Sequence, residues 1–406
     1  MYTYYEKHSK VALLYHLATS KLYRPSHFKV IFSDLAHGGE PIHENLVHCE
    51  GALKWLFEAQ DVTGTGGVSA EYSFSWGWAW PCPETTGYII PTLLDYPKHF
   101  NTSTSEACTS RAIKMADWLT EIQQPNGAYY FSLHPIGNGS AADRISSAFR
   151  KPGAFDTGQV IAGLARAFEE TGNEHYLKAA IKAGNWLVDN LSPNGTWVDS
   201  LHNRPHVFDT FLAWRLIYLS QISGIERYET AARKNLDWAI DNQRENGWSQ
   251  GYSHFPNTNP LTHGICYAAH GFLEAGLQLN ESRFLDAALR PAEALLKIYS
   301  AQGFLPAHLD NNWKSNDKFS CLVGDAQASV LWFRLYLLTK DSKYVNAALE
   351  MNRRLKLLQC LTSPENGIRG GIKGSHPIWG NYLSFRYPSW AVKFFIDALL
   401  LEESIK

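Results

Sequence analysis

Pro83-Glu84-Thr85-Thr86-Gly87-Tyr88-Ile89-Ile90-Pro91-Thr92-Leu93-Leu94 follows a loop dense in glycine and tryptophan (66–80) and runs into a segment too apolar to face water on any side. A carboxylate at a helix start is favourable, because the first N–H groups and the macrodipole stabilise negative charge there. Five later segments repeat this layout of a polar or aromatic loop, a sharp turn and an apolar helix. They are Phe155-Asp156-Thr157-Gly158-Gln159, Phe208-Asp209-Thr210-Phe211, Leu261-Thr262-His263-Gly264, Val323-Gly324-Asp325-Ala326-Gln327 and Tyr387-Pro388-Ser389-Trp390.

Between these segments lies a second repeat, in which a basic residue and an aromatic precede small residues one turn on. Its clearest copies are His175-Tyr176-Leu177-Lys178-Ala179-Ala180, Arg227-Tyr228-Glu229-Thr230-Ala231-Ala232, Arg283-Phe284-Leu285-Asp286-Ala287-Ala288 and Lys343-Tyr344-Val345-Asn346-Ala347-Ala348. Weaker copies cover 48–60 and 109–124. Three of the four clear copies show the 3.6-residue period of an amphipathic helix, while the one from Lys343 is more basic. Asn-Gly or a near equivalent closes them at Asn126-Gly127, Asn194-Gly195, Asn246-Gly247, Gln302-Gly303 and Asn366-Gly367, since both residues tolerate positive φ.

The connections are unequal. From amphipathic to apolar helix they are long, and from apolar to the next amphipathic helix only a short turn such as Thr171-Gly172-Asn173-Glu174 intervenes. Long irregular loops inside a compact domain are usually functional. Here they gather on the face where the apolar helices begin. The pattern predicts an all-α (α/α)6 toroid of six helical hairpins, apolar helices inside and amphipathic ones outside. Residues 45–406 form it as a catalytic domain. Residues 1–44 are an N-terminal extension, with an amphipathic helix over 10–22 and an irregular stretch after it.

Composition narrows the function. The chain has 406 residues and a net charge of -2, so it has no basic field for nucleic acid or anionic membrane. Charged residues make up 19% and aromatics 13%, with 14 Trp, 20 Tyr and 20 Phe. Most are packing between helices. The remainder suits a groove where sugar rings stack. The six cysteines show no CxxC pair and no metal-ligand spacing, so reduced buried thiols and no metal are expected. No cofactor fingerprint occurs: phosphate loop, nucleophile elbow, His-Glu-x-x-His and dinucleotide motif are all absent. The first residues lack a signal-peptide core and nothing approaches a membrane span, which sets a cytoplasmic expectation.

With its Trp- and Gly-rich loops and with Glu84, Asp156, Asp209 and Asp325 at inner-helix starts, the sequence resembles the carbohydrate-active (α/α)6-toroid enzymes. These are glycoside hydrolases such as the unsaturated glucuronyl hydrolases, with polysaccharide lyases and sugar epimerases as neighbours. The resemblance spans residues 45–402 and implies a poly- or oligosaccharide substrate, expected to be uronate-containing or otherwise acidic. Toroidal triterpene cyclases need an Asp-x-Asp-Asp motif, which is absent, and prenyltransferases need a zinc set that Asp209, Cys266 and His263 do not supply at the right spacing.

Three functions stay open at this point. Hydrolysis needs two carboxyl groups, one protonated and one ionised, drawn from Glu84, Asp156, Asp209 and Asp325. The same residues suit helix caps, since Asp is a preferred N-cap. A lyase or uronyl epimerase needs a base and a cation. His263 and Tyr267 are four residues apart, hence on one helix face. His254 and His270 belong to the same loop and helix, and Arg369 and Lys373 lie in a Gly-rich loop suited to a substrate carboxylate. The bland alternatives are core histidines and a solvated turn. Trp76, Trp78, Trp80 and Tyr88 from the first loop and helix, with Trp379, Tyr382, Tyr387 and Trp390 from the last, are the candidate sugar-binding rings. A non-catalytic glycan-binding toroid is the third possibility.

Overall fold

Two kinds of helix alternate along the chain, and their burial tells them apart. The helix Thr262–Leu279 is buried at every position from 262 to 276, whereas Glu174–Asp189 buries only Tyr176, Ala179, Ala180, Ala183, Gly184 and Leu187. The first has no wet face and must be surrounded by protein. The second presents one apolar stripe and leaves the rest to water. The computed structural model describes residues 18–130, 151–198 and 204–406, and among them are thirteen α-helices.

The inner helices are α3 (Pro83–His99), α5 (Ala154–Thr171), α7 (Thr210–Ser223), α9 (Thr262–Leu279), α11 (Leu322–Thr339) and α13 (Ser389–Ser404). Each packs against the next, and α13 packs back on α3, so the ring is closed. The outer helices are α2 (Asn45–Asp61), α4 (Thr104–Ile122), α6 (Glu174–Asp189), α8 (Glu226–Asp241), α10 (Ser282–Gln302) and α12 (Ser342–Leu358). Helices α4 to α12 each lie on the inner helix that precedes them, and α2 lies on α13. The fold is the (α/α)6 toroid that the two interleaved repeats predict.

The repeated aromatic has a repeated task. Tyr176 donates its hydroxyl to Asp117 on α4 at 2.6 Å and Tyr228 to Asn185 on α6 at 2.6 Å, while Tyr344 reaches Glu293 on α10. The ring fills the groove between hairpins, and the hydroxyl ties one outer helix to its predecessor. The alanine pairs one turn on are buried, which lets outer and inner helices approach closely. Gly127, Gly195, Gly247 and Gly303 have positive φ as their turns require. Gly367 differs: a β-carbon there would run into the Tyr72 ring, so packing demands glycine and Gly370 takes the positive φ instead.

Short strands sew the long loops together, a feature the sequence reading does not anticipate. β1 (Glu71–Ser73) is flanked by β2 (Gly77–Trp78) and β5 (Arg386–Pro388), with Tyr72 opposite Tyr387, and β3 (Ser320–Cys321) pairs with β4 (Ser375–His376). The first and last loops are therefore neighbours, as closure requires. The extension corrects one expectation. Its irregular stretch contains α1 (Pro25–Leu35), started by a proline at its first turn. The His27 ring on α1 stacks on Phe74 at 3.9 Å. The helix expected over 10–22 falls mostly outside the described residues.

Candidate active site

Threonine hydroxyls tie two of the long loops to the inner helices. Thr86 donates to the Cys82 carbonyl at 2.7 Å and accepts from the Val68 N–H at 2.9 Å. Thr157 does the same with Gly153 at 2.7 Å and Tyr129 at 3.1 Å. Each threonine thus caps its helix and holds the incoming loop, which puts the acidic residue just before it at the rim of the ring.

Those residues are Glu84 and Asp156, and their carboxyls are hydrogen-bonded to each other. Burial first, then the charge and hydrogen bond of Asp156, raise the Glu84 pKa well above the usual carboxylate range. The like charge of Asp156 opposes ionisation of Glu84, which favours a proton held on the pair. Glu84 is half-buried.

Behind the pair stand two phenols and an imidazole. The Tyr88 hydroxyl donates to that of Tyr267, and burial pushes both well up, so both phenols are neutral. The His263 ring lies 4.5 Å from Tyr267, with Nδ1 2.9 Å from the Gln327 amide oxygen. That contact makes Nδ1 the protonated nitrogen and leaves Nε2 as a lone-pair acceptor. Burial lowers the His263 pKa to about 4, against which the Gln327 hydrogen bond works. Phe155, 5.1 Å from Tyr267 and 5.6 Å from Phe208, continues the lining toward His206 and His254.

Other expected residues lie elsewhere, each for a visible reason. Asp325 is fully buried and ion-paired with Arg354 of the outer helix α12, whose Nη2 also meets Ser320 at 3.0 Å. It faces outward and joins neither Glu84 nor Asp156. Lys373 is buried in an ion pair with Asp34 of α1, which also accepts from the Ile378 N–H at 2.7 Å. Arg369 caps its own turn through the Ser363 carbonyl at 3.3 Å and Asn366 at 2.6 Å. Neither is the free cation that the Gly-rich loop suggested. His270 sits deeper than His263, 3.5 Å from the Glu274 carboxylate, in a buried ionic cluster.

Asp209 ends a 3-10 turn and is buried beside Phe208. His254 is half-buried, 4.7 Å from the Phe208 ring and 5.6 Å from His206. Of the candidate rings, Trp76 and Trp80 are well exposed, and Arg386 lies over Trp76 at 4.6 Å. Trp78 and Trp379 are partly buried against the core. Tyr387 and Trp390 are buried, and the Trp390 indole donates to the Tyr382 hydroxyl at 2.9 Å. Tyr382 is buried as well, its ring 5.8 Å from that of His263.

Sequence reasoning missed three residues. Gln327, which orients His263, stands two positions after Asp325, and no local pattern marks an amide as the partner of a histidine 64 residues away. His206, stacked 4.4 Å over Phe208, was hidden because no spacing links it to His254. Arg204, on the same loop, has a buried Nη1 without a hydrogen-bond partner. Among the described residues no group of three His, Cys, Asp or Glu side chains is placed for a metal ion, and no helix is long and apolar enough to cross a membrane. The cysteines are free thiols.

No protein-family profile and no curated protein sequence matches the chain. Solved structures do. An unsaturated glucuronyl hydrolase from Bacillus sp. GL1, responsible for degrading glycosaminoglycan, superposes with a TM-score of 0.66 at 13% identity, covering 88% of this chain and 96% of its own. A cellobiose 2-epimerase from Bacillus thermoamylovorans gives 0.64 at 14%, covering 91% and 97%. A family 88 glycosyl hydrolase from Bacteroides vulgatus gives 0.63 at 10%, covering 90% and 100%. At these identities the likeness is one of fold, the toroid shared by carbohydrate-processing enzymes.

Proposed function

We propose that this chain is a glycoside hydrolase acting on an acidic oligosaccharide in the bowl around Glu84 and Asp156. The observation that carries the reading is the hydrogen-bonded carboxyl pair at the mouth of a closed ring whose fold-mates process sugars. The usual glycosidase geometries place the two carboxyls roughly 5–5.5 Å or roughly 6.5–9.5 Å apart. A hydrogen-bonded pair is closer, so it works as one unit. Its shared proton goes to the departing glycosidic oxygen, the C–O bond breaks as water adds, and the emptied pair takes back the proton that water releases. Trp76 and Trp80 offer open faces for further sugar rings. With Arg369 and Lys373 engaged elsewhere, Arg204 is the cation that would meet a substrate carboxylate.

The experiment is incubation with uronate-containing and neutral oligosaccharides, measuring new reducing ends and the ultraviolet absorbance of unsaturated uronate. Reducing ends without a gain in absorbance support hydrolysis. A gain in absorbance means a lyase and overturns it, and binding without product leaves a glycan-binding toroid. An epimerase is the second reading, favoured by one observation: His263 is neutral at pH 7 with its free nitrogen beside Tyr267. Chromatography of the sugars, showing an isomer with no new reducing end, would select it.

A further inference from the structure

One turn deeper than Phe211, the same helix α7 carries a guanidinium with no counter-ion. Arg215 is buried, stacked 3.5 Å over the Trp214 ring centroid and 4.7 Å over that of Phe211. The other charges around it are spoken for. Lys393 pairs with Asp397, which also accepts from Thr92 at 2.6 Å. Arg334 grips Glu274 with two parallel bonds of 2.6 and 2.7 Å. His270 leans on the same carboxylate at 3.5 Å, and burial lowers its pKa, so it adds no charge at pH 7. Glu274 and Asp397 act on Arg215 from a distance, but each is ion-paired elsewhere and Arg215 forms no ion pair of its own.

Its surroundings are unsatisfied in the same place. The Nε–H of Arg215 and the indole Nε1–H of Trp214 are buried with no acceptor, and Nδ1 of His270, whose ring is 5.2 Å from Trp214, has no partner either. An unpaired buried charge costs several kcal/mol, and buried donors rarely go without acceptors. Arg215 and Trp214 are neighbours that both lack an acceptor, and the net charge of the cluster is positive. We infer that a small monovalent inorganic anion of the halide type occupies the ring interior against Arg215 and Trp214. The aromatic rings suit a weakly hydrated anion better than a strongly hydrated one. Tyr267, 4.9 Å from Phe211 and 4.5 Å from His263, links this position to the candidate active site. The inference rests on the unpaired donors and stands whether or not the proposed activity is hydrolysis.

The test is a crystal structure of the full chain grown in sodium bromide, using the anomalous signal, alongside melting curves in sodium chloride and in sodium gluconate at equal concentration. The inference expects a bromide peak against Arg215 Nε and Trp214 Nε1. It also expects a melting temperature about 1–2 °C higher in chloride once chloride exceeds its dissociation constant about tenfold. Arg215→Met should abolish the difference and Trp214→Phe should shrink it; the wild-type measurements stand even if Arg215→Met does not fold. Ordered water in place of bromide, bromide only at the protein surface, or melting curves that coincide in the two salts would each overturn it.

Discussion

Gly163 turns its α-carbon onto the carbonyl oxygen of Gly87, so closely that a β-carbon at 163 would overlap that oxygen, and one at 87 would come within 2.6 Å of the Val160 α-carbon. Helices α3 and α5 meet there backbone to backbone. Glu84 and Asp156 lie one turn or two from this contact, and the approach of the helices is what lets their carboxyls share a hydrogen bond. Gly163→Ala must push the helices apart. The expected cost is about 1–3 kcal/mol of stability, as for other overpacked interiors. Because a misplacement of about 1 Å can cost on the order of a hundredfold, kcat/KM should fall by roughly ten- to a hundredfold. Urea unfolding and steady-state kinetics check both.

With Glu84 as the proposed acid, activity should decline as pH rises through its raised pKa. Asp156→Asn removes the neighbouring negative charge, which makes Glu84 easier to ionise. The alkaline limb of the pH–rate profile should then move to lower pH in whatever activity remains. Glu84→Gln should lose roughly 10²–10⁴ in kcat, the usual contribution of a positioned acid. An unchanged profile in Asp156→Asn would contradict the pairing.

Asp325 and Lys373 hold the molecule together, and their variants should say so. Asp325→Ala leaves Arg354 without its buried partner and should lower stability by about 3 kcal/mol while the folded fraction keeps near wild-type kcat/KM. Lys373→Met leaves Asp34 with only His376 and the Ile378 N–H and should loosen α1, detected as faster proteolysis near residues 25–35, with KM for an acidic substrate unchanged. A rise in KM on Lys373→Met would restore it as a substrate contact.

Acid stability should reflect Glu274. Burial works to raise its pKa, but the His270 hydrogen bond and the Arg334 guanidinium bring it down to about 2 from 4.5. With His270 neutral at pH 7, the two-pronged Arg334 contact is the chief anchor. A depressed carboxylate contributes stability above its unfolded pKa and loses it as pH falls through the folded value. The contribution is about 3 kcal/mol, present above about pH 4.5 and lost toward about pH 2. Urea midpoints at about pH 5 and about pH 3 should converge in Glu274→Gln relative to the wild type.

The repeats were legible because helix burial is periodic. Tyr176, Tyr228 and Tyr344 recur with their alanine pairs since each solves the same packing problem between adjacent hairpins. Glu84 and Asp156 were legible as residues at helix starts, and so was Asp325, on identical grounds. Nothing in the neighbours of Asp325 distinguishes it, because its partner Arg354 is 29 residues away on an outer helix. The same holds for Lys373, whose partner Asp34 is 339 residues distant. A glycine-rich loop with two cations looks like an anion site until the carboxylate that neutralises one of them is seen.

Local chemistry alone therefore determined the alternation of dry and amphipathic helices, their number and the closure of the ring, since period, turn residues and loop length are properties of neighbouring residues. Which carboxyls meet, which cations stay unpaired and which imidazole keeps a free nitrogen were decided only when the helices packed. Charge and proton affinity depend on distances through space and on exclusion of water, and both are set by residues far apart in the chain.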